Sequence, residues 1–232
     1  PGMESGVLKT GYPKDNIEII PNSSDLELFA HDRVKADKFL LERPELSNAP
    51  IVLYAGTLGL INGVSYLAEL ASESKRNNIE ANFVVIGKGF EWEKVKIEAQ
   101  NLGVLNDNFF MYPAMPKNEL IGAFSAATVS TSLFVDLKEM EANSANKFFD
   151  ALAASKPIAI NYGGWHKELL EQDQAGIVLS RDVKVAITQL FDLLSNEETL
   201  AEYSENARAL AEDQFSRDIL AKKLEATLQS VL

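Results

Sequence analysis

Residues 141–164 read EANSANKFFDALAASKPIAINYGG. A polar lead gives way to a helical pattern opened by Ser144, then to the apolar run PIAIN and a pair of glycines. At about 100° per residue, Asn146, Lys147 and Asp150 fall on one stripe of that helix, while Phe148, Phe149 and Leu152 mark the side that would face a sheet. A helix that hands the chain straight to a buried-looking strand is one unit of an alternating α/β architecture.

The same alternation extends in both directions. Apolar or β-rich runs occur at 51–56 (IVLYAG), 82–87 (NFVVIG), 108–112 (NFFMY), 128–133 (TVSTSL), 157–161 (PIAIN) and 176–179 (GIVL). Several are apolar throughout, as strands covered on both faces should be. Helical patterns lie near 63–76, 90–102, 116–126, 145–154, 165–172 and 182–194. The expected fold is therefore a doubly wound, Rossmann-like α/β domain over 51–195 with about six parallel strands. Residues 196–232 carry helical periodicity alone and predict two closing helices. Residues 1–50 hold one short predicted strand, IEII (17–20), a charged helix and a Pro-containing stretch, and read as a lead-in from another domain.

Composition narrows the chemistry. The chain has 232 residues, 46% of them hydrophobic, enough for a substantial core. Its formal charge of -12 argues against a nucleic-acid partner, which needs clustered Lys and Arg. With no cysteine there is neither a disulfide framework nor a Cys-based zinc site. The two histidines, His31 and His166, have no metal-ligand spacing and are expected on the surface. No run approaches the length of a membrane span and no signal peptide is visible, so a cytoplasmic location is the default. A dinucleotide fingerprint, a P-loop and a nucleophile elbow are all absent.

In an open α/β sheet, ligands bind beyond the carboxyl ends of the strands. Three turns there carry glycine. GTLGLING (56–63) offers Gly56, Thr57, Gly59 and Asn62, with Asn62 as the expected N-cap of the next helix, whose free amides would favour an anion. GKG (87–89) adds Gly87 and Lys88, and NYGG (161–164) adds Gly163 and Gly164. Each also reads as a plain tight turn. Lys147 and Asp150 lie about 4.5 Å apart along the helix axis, suited to a pyrophosphate on one and a ribose diol on the other. A solvated ion pair at spacing three reads equally well.

Taken in order, IIPNSSDLELF, VLYAGTLGLINGV, VVIGKG, MYPAMPKNEL and ANSANKFFDALAASKPIAINYGG resemble the C-terminal, nucleotide-sugar-binding half of GT-B glycosyltransferases of the large retaining family 4 type, over about residues 15–180. In that family a Glu stands eight residues before a second acid that binds the donor ribose. Here the second acid is Asp150, but Ala142 occupies the first place and Glu141 is one residue out of register. Family members also carry Arg and Lys on the diphosphate where this chain has Thr57 and Asn62. The Ser-Ala-Asn-Lys segment is similar to the Pro-Asn-Lys of capsule and O-antigen transferases.

The resemblance implies a donor domain that binds a nucleoside-diphosphate sugar and needs neither cofactor nor metal. Lys147 would be the catalytic charge on the departing diphosphate, and Asp150 would hold the ribose. Asn146 and the glycine turns would line the rest. It also implies a missing N-terminal acceptor domain, membrane contact only through that domain at the inner face, and a role in surface polysaccharide synthesis. The fragment alone would bind donor without transferring sugar. A GT-B sugar-nucleotide epimerase and a non-catalytic nucleotide-binding module are the alternatives.

Overall fold

The computed structural model describes residues 2–230. Its sheet contains β1 (Ile51–Thr57), β2 (Asn82–Lys88), β3 (Phe109–Pro113), β4 (Val129–Ser132), β5 (Ile158–Ile160) and β6 (Gly176–Val178), in the order β3-β2-β1-β4-β5-β6. All neighbours pair in parallel, with Gly56 level with Gly87 and Gly87 level with Pro113. The winding reverses between β1 and β4, which opens a crevice beyond their carboxyl ends.

The helices, in chain order among the described residues, are α1 (Glu4–Leu8), α2 (Arg33–Leu41), α3 (Ser65–Arg76), α4 (Trp92–Asn101), α5 (Lys117–Ala126), α6 (Asn146–Ala153), α7 (Trp165–Asp173), α8 (Val183–Leu194), α9 (Glu197–Gln214) and α10 (Arg217–Gln229). The α/β alternation and the two closing helices match the reading of the sequence. Two cores explain why. On one face Leu53, Ile86 and Ile160 pack with Phe124 of α5, Phe148 of α6 and Leu210 of α9. On the other, Val52, Tyr54 and Val85 pack with Leu70 of α3, Val95 of α4 and Leu190 of α8. Strands covered on both faces have no polar side to present, hence their apolar runs. Each fully buried Leu or Phe contributes about 2 kcal/mol.

The segment before β1 is woven into this domain. Phe29, Phe39 and Leu46 are buried in the first core, and α2 crosses α5 so closely that a Cβ at Gly122 would lie 2.7 Å from the Lys35 carbonyl. Ser24 is buried, donates its hydroxyl to the Phe149 carbonyl at 2.8 Å and forms an isolated parallel bridge with Ser216. Arg208 of α9 ties Leu26 to Ala153 through their carbonyls, at 3.1 and 2.8 Å.

Two expectations need correction. Residues 17–20 are not a strand: they run beside α10, where Lys223 donates to the Ile19 carbonyl at 3.0 Å, and among the described residues no strand pairs with them. His166 is not on the surface but fully buried, stacked on Phe148 at 3.9 Å, with Nδ1 bonded to the Tyr162 hydroxyl at 3.0 Å. Burial pushes it down to about 3, so it is neutral and packs as an aromatic ring. Among the described residues, no helix is long and apolar enough to cross a membrane.

Candidate functional site

The start of α6 differs from its sequence expectation. Ala145, not Ser144, precedes the first helical residue, and no side chain caps the turn. Ser144 is occupied elsewhere: its hydroxyl accepts from the Asn22 backbone at 3.1 Å and its carbonyl from the Asn22 side chain. Asn22 also donates to Asn146 Oδ1 at 2.8 Å, which holds the exposed Asn146 to the segment before β1 rather than leaving it free over the crevice. The uncapped turn keeps its amide donors and positive dipole end available to an anion.

Phe148, Phe149 and Leu152 are fully buried, as the stripe predicts, and this directs Lys147 and Asp150 away from the sheet's interior. Lys147 reaches over the switch point. Its Nζ lies 5.0 Å from the ring centre of Tyr54 on β1 and 5.0 Å from that of Phe134, just after β4. Gly56 makes the room: a Cβ there would stand 3.0 Å from Lys147 Cε. Burial pushes the Lys147 ammonium down to about 8. Asp150 is pushed up to about 6 by burial, with Lys117 opposing and Asp25 adding to the rise. Among the described residues, neither side chain belongs to a salt bridge, so the solvated ion pair is excluded. Asp25 is engaged with Arg217.

The glycine turns divide into distinct cases. In GTLGLING, α3 begins only at Ser65, so Asn62 is not its N-cap. Asn62 is buried and accepts from the Gly59 amide at 3.1 Å, which closes the loop on itself. Gly87 serves the packing of two backbones, since a Cβ would fall 1.9 Å from the Gly56 carbonyl oxygen. The Leu58 amide then donates to the Lys88 carbonyl at 2.9 Å, and the Lys88 side chain is exposed. Between these two loops and the β3–α5 connection lies a pocket of about 160 Å³, with Thr57, Lys88, Ala114 and Met115 in its wall. Gly163 and Gly164 close the third turn against Glu141: a Cβ on Gly163 would lie 3.2 Å from Glu141 Oε1, and on Gly164, at φ +79°, 2.3 Å from its carbonyl oxygen.

Residues 138–142 wind as a 3-10 helix, tighter than an α-helix, and point the carboxylate of Glu141 at the turn. Lys138 pairs with it at 2.7 Å. Ala142 faces the other way, packed against Gly2.

The structure therefore sets Lys147 against Gly56, places Asp150 one turn further along α6 within reach of the charges of Lys117 and Asp25, sets Thr57, Gly87 and Lys88 around the pocket beside Gly56, and places Gly163 and Gly164 beside Glu141. Sequence reasoning passed over Tyr54 and Phe134, and noted Glu141 only as an acid one residue out of register. Tyr54 carried a usable signal, because it stands two residues before Gly56 and so shares its face of the strand. Phe134 had none, since nothing local relates it to Lys147. Among the described residues, no three His, Asp or Glu side chains gather as a metal site.

Known proteins place this geometry in context. The putative glycosyltransferase EpsF of Bacillus subtilis (strain 168) is 24% identical over 116 residues, 50% of this chain and 30% of that protein. The crystal structure of Anabaena Alr3699/HepE in complex with UDP and glucose superposes with a TM-score of 0.82 over 98% of this chain and 60% of that one, at 14% identity. WaaG, a glycosyltransferase involved in lipopolysaccharide biosynthesis, gives 0.69 over 90% of this chain and 55% of its own, at 15% identity. The chain thus spans less than two thirds of each of these relatives, and it has the Rossmann-like fold of the GT-B domains in the two solved structures. With residues 38–210 matching Glycosyl transferases group 1, the chain belongs to that glycosyltransferase family.

Proposed function

We propose that this chain is the donor-binding domain of a retaining, family 4 type glycosyltransferase that uses a nucleoside-diphosphate sugar. The observation that carries the reading is a half-buried Lys147, without a salt-bridge partner among the described residues, held over the switch point with the half-buried Asp150 one turn further along the same helix. A diphosphate beside Lys147 Nζ would also meet the uncapped start of α6. Charge growing on the departing diphosphate would find a positive group already in place, the preorganised stabilisation on which such transfers depend. Asp150, acceptor-only when ionised, suits the two hydroxyls of a ribose. The pocket walled by Ala114 and Met115 suits the base, and Glu141 with the Gly163–Gly164 turn suits the sugar.

The UDP and glucose bound to Alr3699/HepE make a uridine donor the first to try. The whole protein's acceptor would be held by a second domain facing the crevice. The Ser-Ala-Asn-Lys segment favours a capsule or O-antigen type of product, made at the cytoplasmic face of a membrane, with this chain alone binding donor but transferring nothing.

Calorimetric titration with UDP, GDP, ADP and NAD tests the reading. A nucleoside diphosphate should bind best. No binding by any of them, or preference for NAD, overturns it. Asp150→Ala should weaken UDP about tenfold while leaving inorganic pyrophosphate nearly unchanged, as expected for loss of hydrogen bonds to a charged acceptor.

A further inference from the structure

We infer that Tyr54 and Phe134 are positioning residues: two ring faces that clamp the Lys147 ammonium over Gly56 and so fix where a diphosphate is gripped. The inference rests on the donor-binding reading and adds to it the device that aims its cation. Nζ is 5.0 Å from each ring centre, within the range where the negative face of an aromatic ring attracts a cation. Lys147 sits in the first turn of α6, where the helix dipole opposes positive charge, and among the described residues no carboxylate forms a salt bridge with it. A flexible four-carbon side chain in that position would otherwise swing toward water.

Both rings are themselves held. Tyr54 is fully buried and donates its hydroxyl to the Thr57 carbonyl at 2.6 Å, and Phe134 packs edge-on against Tyr162 at 5.1 Å. The Phe134 amide donates to Asn161 Oδ1 at 3.0 Å, and Arg181 donates to its carbonyl at 2.6 Å. One ring comes from β1 and the other from the loop after β4, so the clamp spans the point where the sheet reverses. Ring faces suit this task better than carboxylates. They hold a cation in place without neutralising it, which leaves its charge for an incoming anion.

The test is a double-mutant cycle on this chain, read as affinity for inorganic pyrophosphate and for UDP. Phe134→Leu should weaken both about three- to tenfold, and in a Lys147→Met background it should add nothing. Phe134→Tyr, which keeps the ring, should bind like the parent. Pentafluorophenylalanine in place of Phe134 keeps the shape but inverts the ring's charge distribution, and should behave like Phe134→Leu even if the leucine variant folds poorly. The clamp is overturned if Phe134→Leu and the fluorinated ring bind normally, or if their losses persist undiminished without Lys147. If Lys147→Met itself binds pyrophosphate normally, the donor-binding reading falls and the clamp with it. Loss on Lys147→Met with none on either ring change removes the clamp alone.

Discussion

Lys147 and Lys156 flank the same helix and are depressed to the same extent, each pushed down to about 8 by burial. Their surroundings differ. Lys156 follows the carboxyl end of α6, where the dipole favours a cation, and donates to the Ser125 carbonyl at 3.1 Å. Lys147 stands at the amino end, where the dipole opposes it, with two aromatic faces for company. One half-buried ammonium has a partner within the fold. On the proposed reading the other takes its partner from outside. Equal pKa shifts therefore do not imply equal roles, and the partners of each group are the better guide.

Affinity should separate the two lysines most widely. Lys147→Met should weaken UDP thirty- to a hundredfold, about 2–3 kcal/mol for a charge-assisted contact, and Lys156→Met should change it less than twofold. Calorimetry on both variants checks this, and equal losses would erase the distinction.

Next in size is the pH response, best read with UDP-glucose, whose esterified diphosphate does not itself titrate near neutrality. On the proposed reading, donor binding needs Lys147 protonated and Asp150 ionised. Affinity should thus peak at about pH 7, falling on the alkaline side as Lys147 loses its proton and on the acid side as Asp150 gains one. The alkaline fall should vanish in Lys147→Met and survive in Lys156→Met.

The smallest effect is on stability, and its sign is opposite to that on binding. Because the folded-state value of Lys147 lies below the ordinary 10.5, the unfolded chain holds the proton more tightly between about pH 8 and 10.5. The burial cost is fully felt below pH 8 and fades as pH rises through that window. At roughly 1.4 kcal/mol for each pH unit the full shift corresponds to about 3.5 kcal/mol, and with the side chain half-exposed water screens part of it, so Lys147→Met should stabilise the unliganded chain by about 2 kcal/mol at neutral pH. Lys156→Met relieves a similar cost but strands the Ser125 carbonyl, so its net change should lie within about 1 kcal/mol. Denaturant melts of the two variants give the comparison.

Much of this was legible in the sequence because the cause was local. Runs such as IVLYAG and NFVVIG are strands because both faces of the sheet are covered, and the α6 stripe separates Phe148 and Phe149 from Lys147 and Asp150 by helical geometry alone. Where cause was distant, reading failed. IEII has strand propensity but no edge beside it, and His166 is buried by residues brought in from α6. The ion-pair alternative for Lys147 and Asp150 stayed open because spacing fixes separation and not burial. Gly87 and Gly56 look alike in a string of letters, yet a neighbouring carbonyl rules out any side chain at the first, while the second is approached closely only by the flexible Lys147 side chain from α6.

The weave of residues 22–26 through α6 and the closing helices bears on how this domain can be transplanted. A graft joined at residue 50, where the first long strand begins, would leave behind Ser24, Phe29 and Phe39, and with Asn22 the side chain that fastens Ser144 and Asn146. The recipient would acquire the sheet without the lashing on its first-turn lysine. A seam upstream of residue 17 moves the crevice and its lashing as one piece, and on the proposed reading chimeras built on either side of that difference should part company in donor affinity before they do in folding.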